Sequence, residues 1–111
     1  MNTANQLLHQ LMAVIEDRRQ NPPEKSYTTK LFNGGNELIG KKIIEEAEEV
    51  VEAADESGQE GREHLIYEAA DLLYHLMVLL RHQEIHIREI ETELARRFGV
   101  SGIDEKASRS S

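Results

Sequence analysis

The stretch Glu68–Leu80 reads EAADLLYHLMVLL. Its leucines, alanines, methionine and valine occupy nearly every helical register. Such a helix is apolar around most of its circumference and must be covered on several sides. Asp71 stands inside this run, Glu68 precedes it by three residues, and His75 falls in the same quadrant. A buried, unpaired carboxylate is costly, so something has to compensate its charge. A second acidic run, EEAEEVVEA at 45–53, lies shortly upstream. At roughly 100° per residue, Glu46 and Glu49 project beside the stripe of Ile43, Ala47 and Val50. Glu45 sits one turn before Glu49, while Glu48 and Glu52 turn toward water.

Paired as an antiparallel hairpin, the two helices would bring Glu46, Glu49, Glu68 and Asp71 together. Hard oxygen ligands of this kind suit magnesium, with manganese as the alternative, and such ions engage substrate phosphates. Taken alone, EEAEEVVEAADE more commonly means a solvated face, which fits Glu48, Glu52, Asp55 and Glu56. It fits Glu68 and Asp71 poorly, because Leu72, Leu73, Leu76 and Leu79 beside them read as core. A di-iron centre would place Glu-x-x-His on paired helices. Here Asp71 follows Glu68 and Tyr74 follows Asp71 at that spacing. His75 by itself reads first as a satisfied buried histidine.

Outward from this centre, helical periodicity dominates. Leu7, Leu8, Leu11, Met12 and Ile15 form the stripe of a first helix. NPPEKSYTTKLFNGG at 21–35 breaks the pattern and reads as a long loop, with Pro22 and Pro23 as stops and Gly34-Gly35 as a turn. The second helix is expected from Asn36 to about Ser57, with Ile39, Ile43, Ala47, Val50 and Ala54 inward. SGQEG links it to a third helix over about Arg62 to Arg81. A fourth carries Ile85, Ile90, Leu94 and Phe98 and ends at Gly99. The small, polar tail 101–111 is expected to be disordered, leaving 1–100 as the domain. The fold class is thus all-α, a bundle of about four helices. So short a chain cannot wrap the third helix by itself, and a homodimer with a shared helical core is expected.

With 111 residues, a net charge of −8 and a pI near 5.1, one small acidic domain is implied. Nucleic acid and anionic membrane are excluded as main partners. A phosphorylated small molecule is not, because metal and a few cations reverse the sign locally. There is no cysteine, hence no disulfide or thiolate zinc site. No secretory signal and no apolar run of spanning length is legible, so a cytoplasmic protein is the default. Lys41 and Lys42 lie one turn before Glu45 and Glu46. Together with Lys30, Arg18 and Arg19 they are candidates for holding phosphates.

These pieces, in this order, resemble the phosphoribosyl-ATP pyrophosphohydrolase family of MazG-like all-α nucleotide pyrophosphohydrolases. The superfamily mark E-x-x-E, spacer, E-x-x-D is matched by Glu46, Glu49, Glu68 and Asp71. The narrower family's loop is matched by SYTTKL at Ser26–Leu31, and its two helices by KKIIEEAEEV and EAADLLYHLMVLL. Many relatives carry glycine just before the paired glutamates. Ile44 stands there here, which reads as a packing difference. The resemblance implies magnesium-dependent hydrolysis of phosphoribosyl-ATP to phosphoribosyl-AMP and pyrophosphate, in histidine biosynthesis. It implies Glu46, Glu49, Glu68 and Asp71 as metal ligands and Glu45 as a water-orienting group. Lys42, Lys30 and Arg18 would hold phosphates, Tyr27 and Thr28 would line the substrate site, and His75 would support the Asp71 end. Family members also occur fused to the adjacent pathway enzyme; a chain of this length is expected to be the stand-alone form. Two other readings stay open: a related hydrolase of a nucleoside triphosphate such as dUTP or dCTP, and a non-catalytic helical dimerisation module.

Overall fold

The protein is represented by a computed structural model that describes residues 3–99; the tail 101–111 lies outside them. Helix α1 spans Thr3–Gln20 and buries Met12 and Ile15 one turn apart, with Leu8 and Leu11 packed beside them. It stops where Asn21 meets Pro22-Pro23, since a residue before proline is pushed out of helical backbone.

Helix α2 spans Tyr27–Ala54. The loop expected at 21–35 is therefore confined to 21–26, and the start expected at Asn36 is corrected to Tyr27. Ser26 provides the reason: its hydroxyl accepts the Thr29 N–H and its carbonyl accepts that of Lys30, which supplies a helix start. Leu31 is then completely buried. Gly34-Gly35 makes a kink where a turn was expected. Gly35 adopts φ 64°, ψ −161°, and the helix resumes beyond it. That backbone region is open essentially to glycine alone.

Asp55–Ser57 connect α2 to α3, which spans Gly58–His82. The start expected at Arg62 thus moves back to Gly58. Gly61 lets the two chain segments close: a Cβ there would lie 2.6 Å from the Glu56 carbonyl oxygen. Helices α2 and α3 form the antiparallel hairpin, the most extensive pairing in the fold. Helix α4 spans Ile87–Phe98, so Ile85 belongs to the preceding turn. His86 caps it, with Nδ1 accepting the Arg88 N–H and Glu89 accepting the His86 N–H. Gly99 closes it in the left-handed conformation.

The core joins Met12, Ile15, Leu31, Ile39, Met77, Val78 and Ile87, from all four helices. Several expected core positions fall outside it. Leu7, Ala54, Leu73, Leu76, Leu94 and Phe98 are exposed, and Ala53 rather than Ala54 is buried. Leu73 and Leu76 are exposed on the hairpin, as are Ile44, Val51, Ile66 and Tyr67. One chain has too few elements to cover α3 on every side.

Candidate metal centre

The hairpin brings three of the four expected ligands into one group. Glu46 of α2 and Glu68 and Asp71 of α3 each offer a carboxylate oxygen within 4.8 Å of the others. Glu68 is buried, and Glu46 and Asp71 are half-buried. The Glu46 Oε2 atom is buried with no hydrogen-bond partner. Glu49 lies outside the tight trio but close enough to Glu68 to raise its carboxyl.

The electrostatics follow from this crowding. The approach of the Glu49 carboxyl, burial, and the charges of Glu49 and Glu46 raise the Glu68 carboxyl to about 7, while His64 pulls the other way. Burial, then the charges of Asp71 and Glu49, also raise Glu46. Like charges this close cannot all be ionised without a cation. An orphaned buried carboxylate oxygen and an all-oxygen donor set fit magnesium or manganese and disfavour softer ions.

The remaining candidates surround the group unevenly. His75 is buried, and its Nδ1 lies 2.8 Å from the Asp71 backbone carbonyl while its Nε2 lies 2.7 Å from the Tyr27 hydroxyl. A carbonyl only accepts, so Nδ1–H donates there, and Nε2 then accepts the Tyr27 O–H. His75 thus grips the backbone at Asp71. Tyr27 is about half exposed, and burial first, then the charges of Tyr74, Glu46, Asp71 and Glu45, raise its phenol. Thr28 is buried, its hydroxyl bonded to that of Tyr74. Lys42 Nζ lies 3.6 Å from Glu45 Oε2, one turn along α2. Lys30 is exposed and lines an open hollow with Lys25, Ser26, Tyr27, Thr29 and Asn33. Arg18 lies in the last turn of α1, a helix that supplies none of the clustered carboxylates.

Sequence reasoning missed two side chains. Tyr74, which fastens Thr28 and stacks on Tyr27 at 6.4 Å, was signalled only by its place three residues after Asp71. His64 lies 3.5 Å from Glu68 Oε2 and 2.9 Å from Glu56 Oε2. Its signal was the four-residue step to Glu68.

Comparison with known proteins agrees with the residue pattern. The family model for phosphoribosyl-ATP pyrophosphohydrolase matches residues 8–98. The chain is 58% identical to the phosphoribosyl-ATP pyrophosphatase of Rhodopirellula baltica, over 92% of this chain and 85% of that protein. It is 48% identical to the protein of the same name from Geobacter sulfurreducens, over 98% of each. It is also 49% identical to part of the histidine biosynthesis bifunctional protein HisIE of Wolinella succinogenes, over 95% of this chain and 43% of that one. By a family match spanning all four helices, the chain belongs to the phosphoribosyl-ATP pyrophosphohydrolase family.

Proposed function

We propose that this protein hydrolyses phosphoribosyl-ATP to phosphoribosyl-AMP and pyrophosphate, using magnesium held by Glu46, Glu68 and Asp71 with Glu49 completing the set. The observation that carries this reading is the trio of carboxylate oxygens within 4.8 Å, one residue of which keeps a buried oxygen without a partner. Bound there, the cation would draw charge from the phosphate oxygens and help supply the attacking water. Water adds across the bond between the α- and β-phosphates; the nucleotide keeps the α-phosphate and pyrophosphate leaves.

The chain's own groups do the rest. Lys42 and Lys30 hold phosphate oxygens, with Arg18 a further candidate. Glu45, beside Lys42, orients the water. Tyr27 lines the substrate site, its hydroxyl fixed by His75. Thr28, tied to Tyr74, sets the first turn of α2 from which Tyr27 projects.

A homodimer accompanies this reading. Ile44, Val51, Ile66 and Tyr67 are 58–66% exposed on the hairpin, and burying such apolar side chains against a second copy is favoured over leaving them in water. Sedimentation is expected to return twice the chain mass.

The deciding experiment measures pyrophosphate release from phosphoribosyl-ATP, dUTP and dCTP with and without magnesium. Magnesium-dependent preference for phosphoribosyl-ATP is expected. Faster turnover of dUTP or dCTP would transfer the protein to another substrate, and no turnover of any would favour a non-catalytic module.

A further inference from the structure

The turn between α2 and α3 brings a histidine onto the carboxylate group from outside it. Glu56 sits in the three-residue connection, and Gly61 lets the first turn of α3 close against its backbone, where a Cβ would come within 2.6 Å. Three residues further on, His64 faces back toward that connection. Its Nδ1 lies 2.9 Å from Glu56 Oε2, and its Nε2 lies 3.5 Å from Glu68 Oε2. A carboxylate only accepts, so Nδ1 carries a proton there. That hydrogen bond orients the imidazole, and the opposite ring nitrogen faces Glu68, the most buried member of the trio.

We propose that His64 is a positioning residue: Glu56 fixes its ring, and the ring fixes the carboxyl of Glu68 for a divalent cation. The proposal rests on the metal centre read above. It concerns residues just outside that centre, spanning the turn rather than lining the site. Groups that hydrogen-bond a metal's ligands set ligand orientation, and their loss typically weakens metal affinity by about 10–100-fold.

Direct binding of manganese to the full-length protein, by electron paramagnetic resonance and calorimetry, tests this without an assay of turnover. His64→Ala is expected to weaken manganese binding by about 10–100-fold. His64→Gln keeps an amide nitrogen near the Nε2 position and is expected to recover most of the loss. Glu56→Ala is expected to fall between wild type and His64→Ala. The double variant should bind no more weakly than His64→Ala alone, because Glu56 acts only through the ring. Manganese affinity within twofold of wild type for His64→Ala overturns the proposal. So does equal loss in His64→Gln and His64→Ala, which would make His64 a ligand itself, and so does full additivity of the two single losses. Should His64→Ala fail to fold, His64→Gln and Glu56→Ala carry the same comparison. Asp71→Asn separates the layers: wild-type binding lost in Asp71→Asn but untouched in His64→Ala sinks only this proposal. No binding by wild type sinks the metal centre as well.

Discussion

Two acidic regions of the molecule treat the same residue type in opposite ways. In the α2–α3 hairpin, Glu68 is buried among other carboxylates and its carboxyl is raised to about 7. On α4, Glu93 accepts hydrogen bonds from Arg96 and Arg97 at 2.7–3.0 Å and its carboxyl is lowered to about 2. The contrast extends to the backbone. The hairpin contains a kink at Gly35 that needs glycine, whereas α4 opens on a complete capping box and closes on a left-handed glycine. One region is arranged for its own stability. The other holds carboxylate repulsion that an added cation would relieve, which is how functional sites commonly depart from the rules the rest of a fold obeys.

The largest effect is expected from removing one charge of the crowded region. Asp71→Asn should lower pyrophosphate release by roughly 10³-fold, the equivalent of several kcal/mol of transition-state stabilisation by the cation. Circular dichroism and oligomeric state should be unchanged, and without magnesium the variant should melt above wild type because repulsion is relieved. A variant that unfolds would assign Asp71 to structure instead.

The pH dependence sharpens the contrast in sign. Between the ordinary carboxyl value of 4.5 and about 7, folded Glu68 holds a proton that the unfolded chain has released. Stability without a cation should therefore fall as pH rises through that window, and Glu46 adds in the same direction. Magnesium should flatten the slope, as should Glu68→Gln. Melting temperatures between pH 4.5 and 8, with chelator and with magnesium, measure this. A flat profile in chelator would mean the carboxylates do not repel one another.

How far the site was legible in the sequence depends on what kind of signal carried each part. The convergence of Glu46, Glu68 and Asp71 followed from helical spacing, because periodicity dictates which side chains share a face once two helices pair. The N-terminal half of α2 was not legible. Its signals, Asn33-Gly34-Gly35-Asn36 after two prolines, are those of a turn. What overrode them was the Ser26 cap, a local contact, and the burial of Leu31 and of Thr28, the latter bonded to Tyr74 of α3, and burial is a tertiary fact. The Glu56–His64 pairing was hidden for a related reason: the connection is shorter than SGQEG suggested, and only the close approach at Gly61 folds Glu56 back. Gly35→Ala tests the kink directly. Alanine at φ 64°, ψ −161° is expected to cost about 1–3 kcal/mol, read as a lower urea midpoint. If it proves neutral, the backbone there does not need glycine and the hairpin loses half of its contrast with α4.

The smallest effect belongs to the favourable region. Glu93→Gln removes three charged hydrogen bonds from the surface of α4, yet exposed ion pairs contribute little because solvent screens them and long side chains lose freedom in making them. Its contribution is present above pH 4.5 and lost as pH falls through about 2. The variant and wild type should therefore differ slightly in melting temperature at pH 7 and converge in strong acid. High salt should erase the difference at pH 7 as well. If Glu93→Gln destabilised as much as Gly35→Ala, α4 would be held by its charges. The burial of Ile87 and Ala95 argues that it is held by its apolar face.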